Sequence, residues 1–256
     1  MPSAPDWRSA SDYAYVHELN RREFAWEYLR RNPSYKRDYR GAVRRRESAH
    51  IDAFAVRWGL RFLFDPHLAA DNVPLVWLPQ IDPATVLLIP APRPFSNSRS
   101  LVSLTPFFRR HATDGEHWVV RDDDGRFALL LMGGFKIDTP VASVSPFDAN
   151  FAARADPALR LWRLLTGERS IRLADSLTQL QRQQLGFALR ALDAHLAGAR
   201  YREIAEVLFG AARVPTGSSW KTHDLRGRTI RLVRTGLRLM RGGYLDLLRH
   251  THRRRR

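Results

Sequence analysis

The stretch from Tyr201 to Leu248 reads YREIAEVLFGAARVPTGSSWKTHDLRGRTIRLVRTGLRLMRGGYLDLL, and its periodicity decides what the C-terminal part of the chain is. Tyr201, Ile204, Ala205, Val207 and Leu208 predict a short helix, closed by Phe209 and Gly210. Ala211 to Trp220, with Pro215, Thr216, Gly217, Ser218 and Ser219, predicts a turn. A long amphipathic helix is then expected from Thr222 to Arg241. At about 100° per residue, Leu225, Ile230, Leu232, Val233, Leu237, Leu239 and Met240 share one half of its circumference. Arg231, Arg234, Arg238 and Arg241 share the other. Gly242-Gly243 stops this helix, and Tyr244 to Leu248 starts a last one.

A helix, a turn and a basic helix whose other face is buried suit the major groove of B-DNA, where N-terminal residues of the second helix meet base edges. Here those are Lys221, Thr222, His223, Asp224, Arg226 and Arg228. The arginines further along (Arg231, Arg234, Arg238 and Arg241) suit phosphate contacts, which position a protein and make its binding salt-dependent. Basic helical faces are also found solvated, or against RNA, acidic lipid or acidic protein.

The distribution of charge favours nucleic acid. The 256 residues include 42 Lys and Arg against 26 Asp and Glu, a formal net charge of +16. Residues 151–256 hold 22 basic and 8 acidic side chains, whereas residues 61–150 hold 8 and 10. A uniform arginine bias would have spread the excess evenly. A basic region beside a near-neutral one is the pattern of a nucleic-acid module joined to something else.

Working outward, Leu185, Leu189, Leu192 and Leu196 line one face of a preceding helix, with Gly198 placed to end it. Ala149 to Gly167 is helical in pattern, and Ser170 to Leu173 is a candidate extended piece. Between Asp65 and Pro146 lie ten of the fifteen prolines, which excludes long helices there. Val73 to Leu78, Thr85 to Ile89 and Leu101 to Leu104 are short apolar runs. His117 to Arg121 and Arg126 to Met132 flank Asp122-Asp123-Asp124-Gly125, a hairpin signature.

The first segment reads as helices: Ser9 or Ser11 as cap, then Tyr15, Leu19, Ala25, Trp26 and Leu29; a break at Asn32-Pro33; and a second stretch from Tyr35 to Leu60 that carries Arg44, Arg45 and Arg46. The expected fold is α+β. It has a helical segment over 1–64, a small β-rich region over 65–150 and a helical DNA-binding domain over 151–256.

Hydrophobic residues make up 44% of the chain, enough for a core. The absence of cysteine excludes disulfides, thiolate metal sites and cysteine nucleophiles, and fits a cytoplasmic protein. No apolar run is long enough to span a bilayer, and the N-terminus lacks a secretory pattern. No phosphate-loop, metalloprotease or serine-hydrolase motif occurs. The Asp122–Asp124 cluster reads as a turn rather than a metal site. His250 and His252 read as part of a basic tail ending in Arg253 to Arg256. Tyr201 and Tyr244 read as packing residues, and Trp7, Trp26, Trp58 and Trp162 as core anchors. Neither catalysis nor a cofactor is expected.

Two stretches carry a resemblance. Tyr201-Arg202-Glu203-Ile204-Ala205-Glu206, Trp220-Lys221, Leu225-Arg226, Arg228 to Val233, Gly236, Leu239 to Tyr244 and Leu247-Leu248 resemble a proteobacterial helix-turn-helix variant. It is found in FseA-type activators, and in antiactivators, of integrative and conjugative element transfer. Trp7, Tyr13 to Tyr15, Leu19, Arg21 to Phe24 and Ala25 to Pro33, with Tyr35 and Tyr39, resemble the transcriptional-regulator-like segment that precedes it in the activators. The resemblance implies a sequence-specific activator that binds promoter DNA, recruits RNA polymerase and is held in check by an antiactivator protein. An antiactivator would carry the C-terminal domain alone. The segment Ala211–Trp220 is longer than the usual turn of three or four residues.

Overall fold

A computed structural model describes residues 5–45, 48–95, 97–168 and 177–249, with the side chains of 45 and 48–52 excepted. Arg46, the Ser170–Leu173 piece, His250, His252 and the arginine tail lie outside the described residues. The fold is α+β. Two units divide it, each assembled from separated parts of the chain.

The first unit joins the described residues up to Gly41, Asp65–Ala70 and Leu177–Leu247. A 3-10 turn covers Ser11–His17 and is followed by α1, Arg21–Leu29. The cap of α1 is Asn20, not Ser9 or Ser11: its side chain accepts from the Glu23 amide, and Glu23 accepts from the Asn20 amide. Ser9 and Ser11 instead hydrogen-bond each other. Asn32-Pro33 is the break expected, because Pro33 opens α2, Pro33–Arg45, where a missing amide costs nothing. The predicted Tyr35–Leu60 stretch is two helices: α2, whose last residues from Ala42 on belong to the second unit, and α3 (Ser48–Arg57), which lies wholly in the second unit.

The second unit is built on a five-stranded sheet of β1 (Val86–Pro90), β2 (Phe108–Ala112), β3 (Gly115–Asp122), β4 (Gly125–Leu131) and β5 (Val141–Val144). Their order is β2-β3-β4-β1-β5, with β1 parallel to β4 and the other pairs antiparallel. The hairpin expected at Asp122–Gly125 is present, with β3 and β4 each reaching one residue further into the turn than expected. Asp122 pairs with Gly125, whose φ of 108° suits glycine, and Asp123-Asp124 form the loop. Asp122 is committed elsewhere than to a metal: it accepts from Arg160 and from the Asp124 amide.

Val86, Leu88, Trp118, Val120, Phe127 and Leu129 pack on one face of the sheet with Leu161 of α4, Phe151–Thr166. Phe62, Val76 and Val119 pack on the other. His117 is buried there, edge-on to Phe62, its Nε2 at 3.0 Å from Asp114 Oδ1, which also accepts from Arg61.

Two of the short apolar runs, Val73–Leu78 and Leu101–Leu104, form no strand: Val73, Val76, Trp77, Leu101 and Leu104 are buried, Trp77 pairs with Leu60 in an isolated bridge, and Val102 is 62% exposed in a turn. Trp162 is 48% exposed and Trp58 half-buried, so only Trp7 and Trp26 of the four are core anchors. The buried face of α4 is Ala153, Arg154, Pro157, Arg160 and Leu161, and Trp162 lies beside it.

Candidate nucleic-acid interface

Three helices of the first unit form the site: α5 (Gln179–Leu196), α6 (Tyr201–Phe209) and α7 (Asp224–Arg238). Thr178 caps α5 with a reciprocal box to Gln181. Gly198, at φ 82°, follows its C-terminus as expected, and Gly210, at φ 93°, follows α6. Leu189 and Leu192 of the predicted α5 face are buried, Leu185 is half-buried and Leu196 is exposed. Between α6 and α7 the chain makes two 3-10 turns, Ala211–Arg213 and Gly217–Lys221. Ala205, Val214 and Leu225 form a small core under this connector, with Phe209 and Trp220 against it. The long segment is therefore an ordered element, unlike the tight turn of the common motif.

The buried face of α7 is Leu225, Thr229, Val233 and Gly236, continued by Leu239 and Met240. Ile230, Leu232 and Leu237 are half-buried. Thr229 and Gly236 were not part of the predicted apolar half. Thr229 satisfies its hydroxyl by donating to the Leu225 carbonyl at 2.7 Å. A Cβ at Gly236 would stand 2.7 Å from the Ala188 carbonyl oxygen and 2.8 Å from Leu192 Cβ. Only a hydrogen there lets α7 lie this close to α5. A glycine inside a helical pattern is the sequence signal that points to such an approach. The helix ends as a wide π turn, Leu239–Gly243, with Gly242 at φ 127°, before α8 at Leu245–Leu248. Tyr244 is 2% exposed, as expected of a packing residue, whereas Tyr201 is 37% exposed and stacks on His195.

The expected contact residues are spread around α7 and the turn before it, with Asp224 exposed at its first position. Arg231, Arg234, Arg238 and Arg241 are all exposed along one face, opposite Val233 and Gly236. Arg238 Nη1 donates to Asp246 Oδ2 at 3.0 Å across the π turn; both side chains are exposed, so a phosphate can readily displace this ion pair. Lys221 and Thr222 are exposed just ahead of α7. His223 is half-buried and caps the helix, its Nδ1 accepting from the Leu225 amide at 3.3 Å. Arg226 and Arg228 lie roughly 160° apart around the helix, on opposite flanks of the arginine face. The Arg228 guanidinium lies 4.8 Å from the centre of the Phe209 ring.

The interface is tied to the N-terminal helices. Asn32 Nδ2 donates to the Met240 carbonyl at 2.9 Å, and Tyr28 Oη to the Leu185 carbonyl at 2.8 Å. Arg190 of α5 reaches the carbonyls of Trp7 and Arg8. Glu27, fully buried, accepts from Arg30, Arg31, Tyr15 and the Ala70 amide. Burial works to raise the Glu27 pKa, but the adjacent Arg31 and Arg30 outweigh it and hold the carboxyl below the usual range. Among the described residues no cluster of His, Asp or Glu is placed to hold a metal ion. No described helix is long and apolar enough to cross a membrane.

Comparison with known proteins agrees with this geometry. Residues 144–249 match the family model described as "T6SS, Transcription factor, DNA binding domain", of RovC type. Residues 6–63 match that described as "Proteobacterial transcriptional regulator-like domain". Neither the curated proteins nor the solved structures return a match. The first model covers all of α4 to α8, and the second covers Trp7 through the start of the sheet unit. The two domain matches, with the exposed arginine face inside one of them, support a DNA-binding transcription regulator.

Proposed function

We propose that this protein is a sequence-specific transcriptional activator that binds promoter DNA through α7 and the turn before it. The observation that carries the reading is the exposed row Arg231, Arg234, Arg238 and Arg241, directly opposite the buried face of α7, within the residues matched by a DNA-binding domain. Such a row meets phosphates. Lys221, Thr222 and Arg226, near the N-terminal end of α7, are then assigned to base edges, with His223 positioning that end as its cap. Arg228, on the other flank, is assigned to a base or phosphate on that side.

The resemblance to FseA-type regulators supplies the finer assignment: genes for excision and transfer of an integrative and conjugative element, RNA polymerase as the recruited partner, an antiactivator protein as the inhibitor, and the cytoplasm as the place. The regulator-like domain and the DNA-binding domain in one chain favour the activator over the antiactivator reading. The protein acts by binding alone, without cofactor or catalysis.

Selection of bound sequences from random duplexes, followed by footprinting at the enriched site, tests this. A defined site is expected. Arg226→Ala should relax preference at one base pair and cost about 1–3 kcal/mol. Absence of any protected site, together with co-purification of a second regulator, would favour the antiactivator.

A further inference from the structure

The surface between α5 and α7 is not flat. It holds a groove of about 610 Å³, within the ~300–1,000 Å³ of small-molecule sites. Its apolar lining includes Leu185, Phe187 and Leu232. Arg21, from the first turn of α1, and Arg228 and Arg231 of α7 face the same space. Among the described lining residues there is no Asp or Glu. The guanidinium groups of Arg228 and Arg231, three residues apart on α7, repel each other, and an anion placed between them relieves that repulsion while gaining charge-assisted hydrogen bonds. Arg228 is pre-positioned: its guanidinium rests on Phe209, whose ring stands 6.3 Å from that of Phe187.

We infer that this groove binds an amphipathic organic anion, a carboxylate or phosphate monoester carrying an apolar body, and that its occupancy competes with DNA. A DNA phosphodiester would meet the arginines but leave the leucine and phenylalanine lining exposed to water; a ligand with both parts satisfies both. The competition follows because Arg228 and Arg231 belong at once to the groove and to the proposed DNA surface. That second claim rests on the function proposed above, and the first does not.

Titration calorimetry of the full chain with decanoate and with decyl phosphate tests the site, with 1-decanol and inorganic phosphate as the separated halves of the ligand. Saturable one-to-one binding is expected for one or both anions, at least tenfold tighter than for either half; the tighter of the two names the head group. Arg231→Gln should weaken it at least fivefold. Gln184→Trp, which fills the groove from the α5 side, should abolish it, with circular dichroism checking that each variant is folded. Equal binding of decanol would reduce the groove to a greasy surface, and equal binding of inorganic phosphate to a general anion patch; either overturns the proposal. Decanoate should weaken DNA binding by the wild type and leave that of Gln184→Trp unchanged. Saturable binding without any effect on DNA overturns the competition and keeps the site. Binding of decanoate by a protein that binds no DNA sequence refutes the proposed function and again keeps the site.

Discussion

Arg31 holds Asp193, 162 residues away, through two parallel hydrogen bonds of 2.6 and 2.8 Å, and with its remaining nitrogen holds Glu27 at 2.6 Å. Asp193 completes the chain by accepting from Tyr13 at 2.6 Å. One guanidinium thus joins α1 to α5. The surrounding carboxylates push the Arg31 pKa up despite its burial. A buried charge of this kind stabilises little compared with an apolar replacement of both partners, but removing one partner leaves the other stranded.

Replacing Arg31 by Met should therefore cost about 3–5 kcal/mol, because the buried Glu27 loses a cation. Urea denaturation followed by circular dichroism measures this. A loss under 1 kcal/mol would mean that Arg30 alone neutralises Glu27.

The same network makes the DNA-binding helices dependent on the N-terminal ones. A fragment spanning 177–249 should show no cooperative unfolding and should bind DNA weakly at moderate salt. Adding residues 1–41 as a separate peptide should restore both. A stable, fully active fragment would show that α1 is a passenger.

Gly236→Ala should destabilise the protein by about 1–3 kcal/mol, since a methyl group there meets the α5 backbone. Helix propensity alone predicts the opposite sign, a gain of about 1 kcal/mol. A thermal melt distinguishes them.

On the arginine face, Arg234→Ala and Arg241→Ala should each flatten the plot of log affinity against log salt by about 0.9 if each meets one phosphate. Asp246→Asn should strengthen non-specific binding several-fold, by releasing Arg238 and removing a negative charge beside it. An unchanged slope in both arginine variants would move the DNA to another surface.

His117 gives the sheet unit a pH dependence. Burial lowers its pKa, against the hydrogen bond and charge of Asp114, and Arg61 and His111 lower it further. The imidazole is neutral in the fold; its Nδ1 has no hydrogen-bond partner, so a proton added there is buried unpaired. With the folded value below the unfolded one of about 6.5, its contribution is complete above that pH and is lost as pH falls toward the folded value. The Asp114 carboxyl, held low by His117 and Arg61 against its own burial, gives way only in stronger acid, below about 3.9. Stability measured from pH 7 downward should start to fall near pH 6.5 in the wild type and stay level there in His117→Gln.

The amphipathic pattern of α7, the hairpin at Asp122–Gly125, the glycine stops at Gly198, Gly210 and Gly242 and the break at Pro33 were legible in the sequence. Each is a local property: helical period, turn stereochemistry or a missing amide. The edge strands β2 and β5 were not: FRRHA, exposed over its three central residues, carries no apolar alternation, and VASV has four residues, too few to show a period. Nor was the division of the expected contact residues among the exposed arginine row, the His223 cap, the turn at Lys221 and Thr222, and the two flanks at Arg226 and Arg228, because whether Arg228 turns toward Phe209 depends on how α6 packs.

By itself the sequence determined that a basic helix exists, where it starts and stops, and which of its faces is charged, since these follow from spacing along one element. Only the tertiary structure decided that the N-terminal helices and this helix share one unit. That pairing rests on Arg31, Asp193, Tyr13, Asn32 and Gly236, whose partners lie far along the chain. A contact between residues separated by most of a domain leaves no period in either segment.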